Sequence, residues 1–96
     1  MAQLVYVEQA LLDLERMCDF LVETELAAAE ETIHPITDAV MVLERHPYIG
    51  RMVDEDLREL IISRGKSGYV ALYSFEEIED TILILAVRHQ REAGYS

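Results

Sequence analysis

No apolar run in this 96-residue chain approaches the roughly 20 residues that a membrane-spanning helix needs. The first residues, MAQLVYVEQALLDLE, have no basic lead and turn acidic at once, which does not read as a signal peptide. A single cysteine, Cys18, excludes an intramolecular disulfide. It falls on the apolar side of a predicted helix and reads as a core residue, as free cysteines usually are. These absences point to a soluble, cytoplasmic protein with no membrane partner. There is no phosphate-binding glycine loop, no CxxC pair and no nucleophile motif, so no cofactor is implied. His34 and Asp38 are four apart on a helix but have no further ligand at metal-site spacing. Asp54, Glu55 and Asp56 lack the glycine and spacing of a calcium loop, so no metal is expected either.

Positive charge is scarce as well. Eight lysines and arginines face 19 acids, a net charge of −11 that argues against simple electrostatic capture of nucleic acid. The chain by itself is not expected to bind DNA. The imbalance is uneven. Residues 1–48 hold ten acids and two bases, whereas residues 49–96 hold nine acids and six bases. Four of those later acids, Glu76, Glu77, Glu79 and Asp80, fall in one predicted turn.

What is present is enough for a modest core: 51% of residues are hydrophobic and the length suits one domain over 1–96. Leu4–Val7 reads as a short strand. From Glu8 to Glu23 the residues Leu11, Leu14, Cys18 and Leu21 recur at helical spacing, with Asp13, Arg16, Asp19 and Glu23 on the other side. A second helical segment runs from about Leu26 to Arg45, striped by Ile33, Ile36, Val40 and Leu43. Pro35 predicts a kink or restart near Thr32–His34, and Pro47 ends the segment at His46. Two helices so joined pack as an antiparallel hairpin. After a polar stretch, Leu57–Ser63, Tyr69–Phe75 and Thr81–His89 read as strands separated by short turns at Arg64–Gly68 and Glu76–Asp80. The expected fold is α+β, in the order β-α-α-β-β-β, with the hairpin on one face of an antiparallel sheet.

The last strand is apolar on both sides, with Ile82, Ile84 and Ala86 alternating against Leu83, Leu85 and Val87. One side serves the helices. The other is covered by the chain's own loops and tail or by a partner protein, and both readings stand at this point.

Pairing the strands through their turns puts Phe75 opposite Thr81, Tyr69 near Val87, and Ser63 or Arg64 opposite Tyr69. Arg64, Lys66, Tyr69, Arg88, His89, Arg91 and Tyr95 then gather at one end of the sheet. Cations there can hold phosphate, a histidine or tyrosine can move protons, and tyrosine rings can stack on bases. The alternative is a set of strand-ending polar residues, with Arg88 and Arg91 paired to Glu92 or to the acidic helices.

The segments LERHPYIGR, LREL, SGYVALYSF and ILILAVRHQREAGY, in this order, resemble the RelE/ParE toxin superfamily of bacterial type II toxin–antitoxin (plasmid stabilisation) modules. The resemblance covers nearly the whole chain. It implies a small toxin neutralised by a cognate protein antitoxin that lays a helix and an extended segment across it. RelE-like members cut messenger RNA at the ribosome; ParE-like members share the fold and inhibit DNA gyrase. By resemblance, the RelE-like catalytic candidates are Arg64, Lys66, Arg91 and Tyr95. Tyr95 follows Arg91 more closely than is usual, and the region before SGYVALYSF is poor in lysine. The helical hairpin and the HPYIGR turn look ParE-like, which makes Tyr69, Arg88, His89 and Arg91 candidates for target binding. The acidity departs from both groups, most of which are basic, and disfavours a phosphate-lined ribosomal site. The expectation is therefore a ParE-like toxin first, a RelE-like endoribonuclease second, and a non-toxic member that keeps only antitoxin binding third.

Overall fold

The computed structural model describes residues 1–24, 34–64 and 67–90, with side chains at 1–19, 34–62 and 68–90. Strand β1 (Gln3–Tyr6) leads into helix α1 (Glu8–Thr24), followed by a second helix, α2, described from residue 34 to residue 40. A 3₁₀ turn at Met41–Glu44 ends α2. Then come β2 (Arg51–Asp54), β3 (Leu57–Arg64), β4 (Ser67–Glu76) and β5 (Thr81–His89). The expected break near Thr32–His34 lies outside the described residues up to 33; from His34 the chain is helical through Pro35.

The α+β class and the helices-on-one-face architecture are borne out. Ala10 of α1, Ile36 and Val40 of α2 and Leu43 of the 3₁₀ turn bury against Ile62, Tyr69, Ala71, Tyr73, Ile82, Ile84 and Val87 of the sheet. Opposite, Val70 and Leu72 are half-buried and Ile61 is exposed, so that face is apolar and open to water among the described residues.

The sheet departs from expectation in three ways. Its order is β1-β5-β4-β3-β2, and β1 pairs with β5 in parallel, so it is mixed rather than antiparallel. The stretch expected to be polar loop contains β2, an edge strand on β3 whose four residues are all exposed. Such a strand buries nothing, so it leaves no alternation to read. The register also differs. Glu76 lies opposite Thr81, and Leu72 and Tyr73 lie opposite Ala86 and Ile84, which leaves Leu85 as an extra residue in a β-bulge. The two offsets together place Tyr69 opposite His89 instead of near Val87; separately, the β3–β4 register sets Ile62 rather than Ser63 or Arg64 opposite Tyr69. The bulge reverses the alternation, so Ile82 and Ile84 before it and Val87 after it all reach the core.

The inward face of α1 differs too. Ala10 and Asp13 are fully buried, whereas Leu11 and Leu12 are about half exposed. Two stripes were available in this helix, and the one through Ala10, Leu14 and Met17 faces in. Asp13 belongs to that stripe.

The HPYIGR turn is held by residues far along the chain. The Tyr73 hydroxyl accepts a hydrogen bond from the Gly50 N–H at 2.9 Å and donates one to the Pro47 carbonyl at 2.8 Å. Burial raises the Tyr73 phenol above its ordinary range, so it stays protonated and keeps donating. Arg58 Nη1 donates to the carbonyls of Tyr48 (3.1 Å) and Gly50 (2.7 Å), with its guanidinium 5.2 Å from the Tyr48 ring centre. Tyr73→Phe strips two backbone groups of their shared partner. We expect a loss of about 1–3 kcal/mol, read as a drop of several degrees in thermal midpoint.

Candidate functional site

The end of the sheet where β4 begins and β5 ends carries the residues singled out by sequence. Tyr69 and His89 are direct cross-strand partners, with ring centres 5.2 Å apart and planes at 82°, an edge-to-face pair. Tyr69 is buried to 9% exposure, whereas His89 is half-exposed, so the imidazole is presented on an aromatic support. The pair is closed by the Gln90 N–H donating to the Gly68 carbonyl at 2.9 Å. Arg64 ends β3 opposite Ser67, which brings its backbone to the same end; its side chain lies outside the described ones. Lys66, Arg91 and Tyr95 lie outside the described residues altogether.

Arg88 has a different setting. Its side chain is 9% exposed and its Nη1 is ion-paired with Asp13 of α1, whose side chain is fully buried. The same nitrogen donates to the Val87 carbonyl at 3.2 Å. Asp13 is well supplied with donors. Its Oδ2 accepts the Val87 N–H at 3.0 Å, and its Oδ1 accepts Gln9 Nε2 at 3.0 Å, with Arg16 Nη2 at 3.6 Å. Burial pushes the Asp13 carboxyl up, but the bonds from Arg88, Val87 and Gln9 outweigh it and hold the group below its ordinary value. Sequence reasoning offered an acidic helix as a partner for Arg88 yet put Asp13 on the solvent side. The usable signal was that Asp13 sits inside the second apolar stripe, where a carboxylate needs a buried partner.

The opposite end of the sheet is acidic. A cleft of about 390 Å³ lies between the HPYIGR turn and the two strand turns. Tyr48, Arg58 and Phe75 line it together with five carboxylates, Glu55, Asp56, Glu76, Glu77 and Glu79. Tyr48 meets Phe75 edge-to-face at 5.3 Å and hydrogen-bonds Glu77 through its hydroxyl. Among the described residues, therefore, the two ends of the sheet differ in charge.

A small mixed sheet with two helices on one face is a fold shared with solved ParE and RelE toxin structures. The chain belongs to the ParE toxin family of type II toxin–antitoxin systems: the family model "ParE toxin of type II toxin-antitoxin system, parDE" matches residues 4–94. It is similar to Toxin RelE3 of Caulobacter vibrioides, 31% identical over 80 residues, spanning 83% of this chain and 85% of that one. In fold it is similar to a solved structure of the chromosomal ParDE system of P. aeruginosa, with TM-score 0.76 and 22% identity. That alignment covers 93% of this chain and 96% of the other. The E. coli RelBE toxin–antitoxin complex gives TM-score 0.66 at 14% identity, over 96% of this chain and all of its counterpart. The resemblance drawn from the sequence motifs is thereby borne out.

Proposed function

We propose that this toxin acts in the ParE manner, by binding and inhibiting a protein target, DNA gyrase first among the candidates, and that a cognate antitoxin silences it. The observation that carries this reading is the state of Arg88. One of the few cations at that end of the sheet is buried against a helix carboxylate and is not offered to a phosphate. What that end presents is His89 on Tyr69, a contact surface suited to a protein. With a net charge of −11 on the whole chain, a phosphate-lined target is the less favourable one. His89 and Arg91 are the proposed target contacts, with the buried Tyr69 and Arg88 in support. The open apolar sheet face is suited to an antitoxin segment.

The second reading is a ribosome-dependent endoribonuclease that uses Arg64, Lys66, Arg91 and Tyr95. The similarity to a protein named as a RelE toxin favours it. The two part on induction in a bacterial host without antitoxin, with thymidine and methionine incorporation followed side by side. We expect thymidine incorporation to fall first with translation intact. Early loss of methionine incorporation selects the nuclease. If neither falls while soluble protein accumulates, the chain retains antitoxin binding alone. His89→Ala is expected to relieve the arrest with the fold intact, because the imidazole is half-exposed and lies at the end of its strand.

A further inference from the structure

We propose that the buried Asp13–Arg88 pair is a positioning device that sets His89 for the target, and that it is distinct from the core that holds the fold. This rests on the reading of the Tyr69–His89 end as the target-contacting end. Strand β1 stops at Tyr6, opposite Ile84, so it supplies no strand neighbour to the rest of β5. On that side Asp13 takes its place: its carboxylate accepts the Val87 N–H at 3.0 Å and holds the guanidinium of the next residue. On the other side β4 supplies the partners, Ala71 for Val87, Val70 for Arg88 and Tyr69 for His89. The last stretch of backbone before His89 is thus fixed between a strand and a helix carboxylate. Asp13 in turn is held by Gln9 one helical turn earlier, which fixes how the carboxylate is presented to β5.

Stability alone is a poor reason to keep such a pair. Two charges taken out of water gain about as much from each other as well-packed neutral groups would gain in their place. What neutral groups do not supply is direction: a carboxylate met by a guanidinium and a backbone N–H fixes where both lie. The ordering therefore serves the residue that follows.

The test is the paired replacement Asp13→Asn with Arg88→Met, which removes both charges together and leaves an acceptor for the Val87 N–H. The His89 ring protons lie beside the Tyr69 ring and carry its ring-current shift, which NMR reads directly. We expect the double variant to keep its circular dichroism and a thermal midpoint close to that of the parent. We expect it to lose the His89 ring-current shift and to weaken growth arrest by about ten-fold or more, as the loss of one well-placed contact does. A folded double variant that keeps both the shift and the arrest overturns the proposal. So does one that loses the arrest with the shift unchanged, since Arg88 or Asp13 would then be a contact in its own right. If the double variant does not fold, Asp13→Glu, which keeps the charge but displaces it by one methylene, is judged by the same two readouts. A parent chain that arrests nothing sinks the target-binding reading, while the ring-current shift still decides whether the pair positions His89.

Discussion

Asp13→Ala is expected to destabilise the fold by about 3–5 kcal/mol, the cost of leaving a buried charge without its partner. The arginine at position 88 has 9% of its side chain exposed and cannot reach water without rearranging the end of β5. The Val87 N–H loses its acceptor at the same time. Urea denaturation checks the magnitude, and removing Arg88 together with Asp13 should recover most of it. The same carboxylate predicts a pH signature. Its folded-state value lies below the unfolded one, so its stabilisation is complete above the ordinary carboxylate range and disappears as pH falls through the lowered folded value. The parent chain should therefore lose stability on acidification to a greater degree than the doubly neutral variant. Equal acid sensitivity would show that Asp13 contributes nothing of this kind.

Gly50→Ala is the second large effect, expected at about 3 kcal/mol because added volume at this position meets backbone as well as side chain. A Cβ there would stand 2.6 Å from the Glu59 carbonyl oxygen and 2.6 Å from the Tyr73 hydroxyl. The Glu59 carbonyl belongs to β3, and Tyr73 is fully buried, so neither gives way cheaply. Any relief also stretches the bond from the Gly50 N–H to Tyr73. The arginine that follows, Arg51, pairs with Glu59 at 2.8 Å at the edge of the sheet. A variant that unfolds at the same urea concentration as the parent would show that the close packing of the turn on Tyr73 adds nothing to stability.

The sequence carried the element order far better than the orientation of the elements. The first helix, the last two strands and the turn between them were readable because each is either periodic or bounded by a charged turn. Strand β2 was not, because RMVD is short, bulged and exposed on every side chain, and what holds it is its pairing with β3 after a turn clipped by Arg58 and Tyr73. The inward face of α1 was misjudged because a buried ion pair looks, in a sequence, like two solvent charges. Leu11 and Asp13 exchanged their expected places for that reason. At the end of the sheet where β4 begins and β5 ends, Tyr69, Arg88 and His89 lie near one another, and the bulge at Leu85 decides which of them face each other. A bulge leaves no composition signal in an all-apolar strand. The fold does not separate the two target classes, because both groups of toxins share it.

The parallel pairing of β1 with β5 has a consequence for how the protein comes into being. Residues 3–6 are made well before their partners, residues 81–84. Strand β5 lies between β1 and β4, so the sheet has a gap until residues 81–89 have been made. The early segments must wait, since contacts this distant in sequence form late and slowly. The complete five-stranded sheet therefore exists only after residues 81–89 have joined β1 to β4. Until then β1 and β4 each expose an unpaired strand edge, which is the least protected state of this sheet.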